Sequence, residues 1–243
     1  TYAELADASI RVIRDGQQES GAYLASPTFP TYHYSWFRDG SFIAYAMDLV
    51  GEHDSARRFH EWAARSILAR RSDVEAVLAE LSATGAAPEA GDTRLLSTRY
   101  RADGSEGTDP WENFQLDGFG TWLWSLEQHL VLYHTPPRDP APRRDPARNH
   151  CDSHFADFVR PAVDLVARYL KQLWHVPCYD LWEEHRDHVH TYTLASIHGG
   201  LTAAATLGAA ASESTMGSIR AFVDDHLTYA GRLRKSTGHT GVD

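Results

Sequence analysis

The chain has 243 residues, 42% of them hydrophobic and 23% charged, an ordinary globular usage that supplies a sizeable core and excludes global disorder. Its formal net charge of −10 repels phosphate backbones and anionic lipid surfaces, which argues against nucleic-acid and membrane partners and favours neutral or cationic ligands. No run of about 18 apolar residues is present to span a bilayer, and Cys151 and Cys178 are too few for a disulfide framework and lack the paired spacing of a zinc site.

The start, TYAELADASIRVIRDG, has neither a basic n-region nor an apolar h-region, so cytoplasm is the default location. The absence of an initiator Met suggests a portion of a longer protein. Residues 3–15 place Leu5, Ala8, Ile10, Val12 and Ile13 near helical spacing, and Asp15-Gly16 ends the run. An irregular loop rich in Pro, Ser, Thr and aromatics follows, then helices near 39–50, 54–70 and 72–82. The stretch LLSTRYRADGSEGTDPWEN reads as a short hairpin or long loop with a DG turn. A strongly apolar helix is expected over 114–134, and another over 152–175 with Phe155, Phe158, Val159, Val163, Val166, Tyr169, Leu170 and Leu173 at three-to-four spacing. Between them PPRDPAPRRDPARN reads as an exposed, Pro-rich excursion. A small-residue helix over 191–211 and one over 213–230, opened by Ser212 or Ser214 as N-cap, complete the chain. These make about seven main helices and no convincing strand pair. Their loops, alternately short and long, suggest one domain over 1–243 built of helical hairpins, stacked as a solenoid or closed as an α/α barrel. No repeat at a fixed period supports the solenoid.

Three clusters carry polar groups among aromatics: Tyr32-His33-Tyr34-Ser35-Trp36-Phe37-Arg38-Asp39, Trp111-Glu112-Asn113-Phe114-Gln115-Leu116-Asp117-Gly118, and Tyr179-Asp180-Leu181-Trp182-Glu183-Glu184. Each is expected just before a helix or at its start. Glycoside cleavage needs a proton donor for the leaving oxygen, a base for water, and groups that clamp sugar hydroxyls; the clusters supply all but the base. Trp182 beside Glu183 lowers local polarity and Glu184 next door penalises full ionisation, so both favour a proton-bearing Glu183. Arg38 and Asp39 place a fork of donors beside a two-oxygen acceptor, suited to vicinal hydroxyls. Seven Trp offer flat faces for sugar rings to stack on. Taken singly, the Arg-Asp pair and the Asp-Leu-Trp-Glu-Glu run can equally be acidic first turns of surface helices.

Taken together and in order, the three motifs resemble those of glycoside hydrolase family 15, the glucoamylases and their glucodextranase, trehalase and isomaltose-hydrolysing relatives. The resemblance covers nearly the whole chain. It implies an all-α (α/α)6 barrel with the site at one mouth. YHYSWFRDGS resembles the family's Tyr-x-Tyr-x-Trp-x-Arg-Asp stretch, which makes Arg38 and Asp39 ligands of the non-reducing-end glucose, with Tyr32 and Trp36 lining the pocket. WENFQLDG resembles Trp-x-x-x-Gln-x-Asp-Gly, which puts Trp111 near the acid and counts Gln115 and Asp117 among the substrate-binding residues. YDLWEE resembles the acid-bearing Asp-Leu-Trp-Glu-Glu, making Glu183 the general acid with Asp180, Trp182 and Glu184 in contact with sugar. The implied activity is inverting, exo-acting release of glucose from a malto- or isomalto-type saccharide, with a trehalase-type hydrolase or an inactive sugar-binding module as the alternatives. No metal or cofactor is implied, and the partner is a small oligosaccharide. No counterpart of the family's water-activating carboxylate follows GRLRKSTGHTGVD, so the barrel is expected to be incomplete. His185, His188 and His190, with His175 and His198 not far off, match no zinc-ligand spacing and read as solvated loop histidines.

Overall fold

The computed structural model describes residues 1–26, 28–89, 91–134, 146–210 and 213–239. Helix α1 (Tyr2–Gly16) opens with a capping box: Thr1 Oγ1 accepts from the Glu4 backbone N–H, and the Glu4 carboxylate reaches back to the Thr1 backbone nitrogen. Helices α2 (Phe37–Leu49), α3 (His53–Ala69) and α4 (Arg71–Thr84) follow, and Gly85, at φ 69°, supplies the left-handed residue that stops the last of these. Then come α5 (Asp117–His134), α6 (Pro146–Leu173), α7 (Thr191–Thr206) and α8 (Glu213–His226).

The eight α-helices among the described residues exceed the expected seven because the short run over 72–82 is a full element. The Pro-rich excursion lies largely outside the described residues, but its last four residues are helical. Pro146 opens α6, where its missing N–H costs nothing. Ser212 also lies outside the described residues, and Ser214 sits inside α8 rather than capping it. The strand expectation is corrected too. Ser35–Trp36 (β1) pairs antiparallel with Arg99–Tyr100 (β2), and Thr228–Tyr229 (β3) with Arg232–Leu233 (β4) across Ala230 and Gly231, both at positive φ.

Hairpins α2–α3, α5–α6 and α7–α8 stand side by side, with α2, α5 and α7 as one layer and α3, α6 and α8 outside it. Helices α5 and α7 meet backbone to backbone: a Cβ on Gly120 would lie 2.3 Å from the Ser196 carbonyl oxygen, and one on Gly200 2.5 Å from that of Gly120. The first residue of α2 anchors the mouth. Phe37 is 1% exposed and its ring centroid lies 5.1–6.5 Å from those of Trp62, Tyr100, Phe119 and Trp122. Truncating such a buried ring to Ala typically costs about 3–5 kcal/mol, and here its packing fixes the direction in which the next two residues, Arg38 and Asp39, leave the core.

Away from the mouth, α2, α3 and α5 enclose Asp48, His60 and His129, all buried, with their donor atoms within 4.8 Å of one another. Nδ1 of His53 and Nδ1 of His129 bond the Asp48 carboxylate at 2.8 and 2.9 Å, and neither ring nitrogen of His60 has a hydrogen-bond partner among the described residues. Burial first, and His129 second, hold His60 well below the ordinary imidazole pKa against the pull of Asp48. The unfolded chain therefore takes up a proton at this residue near pH 6.5 that the folded chain refuses, so stability falls as pH drops below that value, by about 1.4 kcal/mol per pH unit for one such group. Replacing His60 by Leu is expected to flatten the decline of melting temperature between pH 7 and pH 5; an unchanged slope in thermal scans would show that His60 does not govern it.

Candidate active site

Strand β1 brings the first cluster to the mouth and β2 lies against it, with Trp36 opposite Arg99. The third cluster is not a helix start. Residues 178–190 form an irregular loop between α6 and α7, and Glu183 sits at its tip in the left-handed region, φ 66°, followed by His185 at φ 52°. A non-glycine residue adopts that conformation only where its surroundings impose it, and Asp180 does so. Its Oδ1 accepts from the backbone N–H of Trp182 and of Glu184, both at 2.9 Å, while its carbonyl accepts from Glu183 N at 2.9 Å. Oδ2 meets Lys235 Nζ at 3.1 Å. Burial raises the Asp180 pKa, but the Glu184 N–H, Lys235 and the Trp182 N–H outweigh it and hold the carboxyl below the usual carboxylate range.

Residues 234–239 strap this loop in place. Thr191 N donates to Lys235 O at 3.0 Å, Thr237 N to Val189 O at 3.1 Å, and Lys235 also lies 3.5 Å from Glu184 Oε2. His185, His188, His190 and His239 pack as rings against one another beneath it, with His185 and His188 stacked at 5.0 Å. They form a packed ring cluster in which His190 is buried and His188 and His239 are half-buried, while His185 stays exposed. His175 and His198 lie elsewhere, against Trp174 and Arg220.

The neighbours of the Glu183 carboxyl come from other elements. Oε1 accepts three hydrogen bonds, from Trp36 Nε1 at 3.1 Å, Trp111 Nε1 at 2.9 Å and Gln115 Nε2 at 3.1 Å. Oε2 accepts none among the described residues. The adjacent Trp182, expected to shield the acid, is 70% exposed, and Glu184 points to Lys235.

Arg38 leaves the first turn of α2 beside the start of α5. Its Nη1 donates to Gln115 Oε1 at 2.9 Å and Asp117 Oδ2 at 3.0 Å, and its Nε lies 3.6 Å from Asp39 Oδ2. Gln115 thus spans the site, accepting from Arg38 and donating to Glu183. Burial lowers the Arg38 pKa, but Asp117 and Asp39 outweigh it and raise it overall; burial raises both carboxyls, with Arg38 opposing. Asp39 Oδ2 is buried with no hydrogen-bond partner among the described residues, and Arg38 Nε is the cation beside it; the side chain as a whole is 44% exposed. A cleft of about 250 Å³ opens over these groups, lined by Ala25, Tyr32, Trp36, Arg38, Asp39, Leu181, Trp182 and Glu183. Trp111, Gln115 and Asp117 stand behind its wall, and Asp180 and Glu184 belong to the turn and its ion pairs rather than to the lining.

The family model for glycosyl hydrolases family 15 matches residues 8–232. The chain belongs to that family. Over 248 aligned residues this family 15 chain is 38% identical to the isomaltose glucohydrolase of Kribbella flavida, covering 99% of itself and 59% of that protein. A glycosidase variant solved in complex with glucose superposes with a TM-score of 0.82 at 38% identity, over 99% of this chain and 61% of the other. The glucoamylase of Hormoconis resinae, 16% identical over 99% of this chain and 41% of its own, shares the fold at a TM-score of 0.62. The chain therefore spans less than two thirds of the length of the isomaltose glucohydrolase and of the glucose-bound glycosidase.

Two residues of this family 15 chain escaped notice in the sequence. Lys235, in a basic stretch, pairs with Asp180, and Arg99, in a run of alternating character, stands behind the tryptophans. Neither carries a local signal, because their roles depend on segments that meet only in the fold. Among the described residues, the group of metal-ligand types that converges is Asp48, His60 and His129 in the core, away from this cleft, and no helix is long and apolar enough to cross a membrane.

Proposed function

We propose that the full-length protein is an inverting, exo-acting α-glucoside hydrolase that releases glucose from the non-reducing end of an isomalto-type saccharide. The observation that carries the reading is the division of labour on Glu183: Oε1 is held by three N–H donors, so the proton of the acid resides on Oε2, the oxygen free for the cleft. Glu183 gives that proton to the leaving oxygen, while Arg38 and the half-exposed carboxylate of Asp39 hold hydroxyls of the non-reducing-end glucose. Trp36, Trp182 and Tyr32 offer ring faces to the sugar. In this reading the water is activated by a second carboxylate from the part of the relatives' length that this chain does not span, about 6.5–9.5 Å from the acid. The isomalto preference rests on the 38% identity with an isomaltose glucohydrolase.

The test is a panel of isomaltose, maltose and trehalose with the full-length protein, following the anomer of the first glucose released by proton NMR. β-Glucose, formed fastest from isomaltose, is expected. Initial α-glucose would mean retention, fastest release from trehalose would move the substrate class, and no release from any of the three would leave a sugar-binding module.

A further inference from the structure

Arg99 is 2% exposed, yet its Nε and Nη2 are buried with no hydrogen-bond partner among the described residues. Its guanidinium carbon instead lies 4.1 Å from the Tyr34 ring centroid, 4.0 Å from that of Trp111 and 5.9 Å from that of Trp36. A buried cation held by no close carboxylate is costly, and electron-rich ring faces within about 6 Å offset that cost through cation–π attraction. More distant attraction comes from the carboxylates of Asp109, Glu183 and Glu112. Tyr34 is itself pinned by its hydroxyl to Asp109 Oδ2 at 2.6 Å. The two indoles pack edge-on at 5.9 Å, and each donates its N–H to Glu183 Oε1.

We propose that Arg99 is a positioning residue for the general acid: clamped between Tyr34 and Trp111, it fixes the two indoles that hold Glu183 Oε1, and so aims Oε2 at the leaving oxygen. The proposal rests on the reading of Glu183 as the proton donor. The flat guanidinium suits the role because it stacks face to face between two rings while keeping its charge, which a lysine ammonium cannot do. Without it the indoles lose their backing and the Trp36 and Trp111 N–H groups drift, and a displacement of about 1 Å at a reacting group is enough to cost orders of magnitude in rate.

The distinguishing measurement compares two substrates on the full-length protein. Cleavage of isomaltose expels a sugar alcohol oxygen and needs a well-aimed proton, whereas cleavage of α-glucosyl fluoride expels fluoride with little protonic help. Arg99→Met is expected to lower kcat on isomaltose by about 30-fold or more, with KM within about threefold, and kcat on the fluoride by less than about fivefold. The near-UV circular dichroism of the tryptophans should change with it. Arg99→Lys should fall between the two, and it carries the same comparison if the Met variant does not fold. Trp111→Phe removes one of the donated N–H groups, so its loss and that of Arg99→Met should combine less than additively. Equal losses on both substrates, a loss confined to KM, or full additivity with Trp111→Phe would overturn the positioning role. A wild-type protein that cleaves neither substrate would overturn the reading of Glu183, and this proposal with it.

Discussion

Replacement of Glu183 by Gln in the full-length protein is expected to lower kcat on isomaltose by at least about a hundredfold, the usual scale of general-acid assistance, while KM and melting temperature stay near wild type. The geometry explains why the effect separates in this way. The three N–H donors around Oε1 are all satisfied by an amide oxygen in the same place, so Gln keeps the Trp36, Trp111 and Gln115 contacts that fix the side chain. What it loses is the acidic proton at the second position, which matters only when the glycosidic bond breaks. The turn around the residue is untouched because Asp180 organises it through backbone N–H groups. Kinetics on isomaltose and on α-glucosyl fluoride, with thermal scans of both proteins, check the expectation. A variant retaining more than about a tenth of the wild-type rate on isomaltose would remove Glu183 as the acid.

The helices were legible because their apolar residues recur at three-to-four spacing over three turns or more, as Phe155, Val159, Val163, Val166, Tyr169, Leu170 and Leu173 do along α6, all buried, whereas Phe158, counted in the same pattern, stays 40% exposed. The errors lie where that signal is too short or has two readings. A two-residue strand such as Ser35–Trp36 cannot display a period of two, and its partner Arg99–Tyr100 lies more than sixty positions away. Proline reads as a breaker in PPRDPAPRRDPARN, but at the first position of a helix it is favoured, and Pro146 is in that position.

The same ambiguity governed the acid motif. Asp180 followed by two glutamates resembles an acidic first turn of a helix, yet its short side chain captures the N–H groups of Trp182 and Glu184, and an Asx-type turn results. The motif alone singled out Glu183 as the proposed acid. That its contacts come from Trp36, Trp111 and Gln115 rather than from Trp182 was not visible there, because sequence adjacency in a turn puts successive side chains in different directions, and the three donors belong to segments about 70 to 150 positions away. Arg38 and Asp117, in separate motifs, also come together only because α2 and α5 start side by side: a Cβ on Gly118 would lie 3.2 Å from the Arg38 backbone nitrogen.

That juncture sets the second large effect. Arg38→Met in the full-length protein is expected to cost both stability and activity, for different reasons that a second substitution separates. The Asp117 side chain is 0% exposed and that of Arg38 15%, and the guanidinium is the one cation on the Asp117 carboxylate among the described residues. Its removal strands a buried anion whose Oδ1 already lacks a hydrogen-bond partner, a situation that typically costs about 3–5 kcal/mol. Activity falls with it, because the fork of donors beside Asp39 is lost to the sugar in ground and transition states alike, and a drop in kcat/KM of about two to three orders of magnitude corresponds to removing one member of a buried, charged hydrogen-bond set. Adding Asp117→Asn removes the stranded charge without restoring the fork. The double variant should therefore regain most of the lost stability in denaturant unfolding and remain as inactive as Arg38→Met. Recovery of activity along with stability would mean that Arg38 serves only to neutralise Asp117 and holds no part of the substrate.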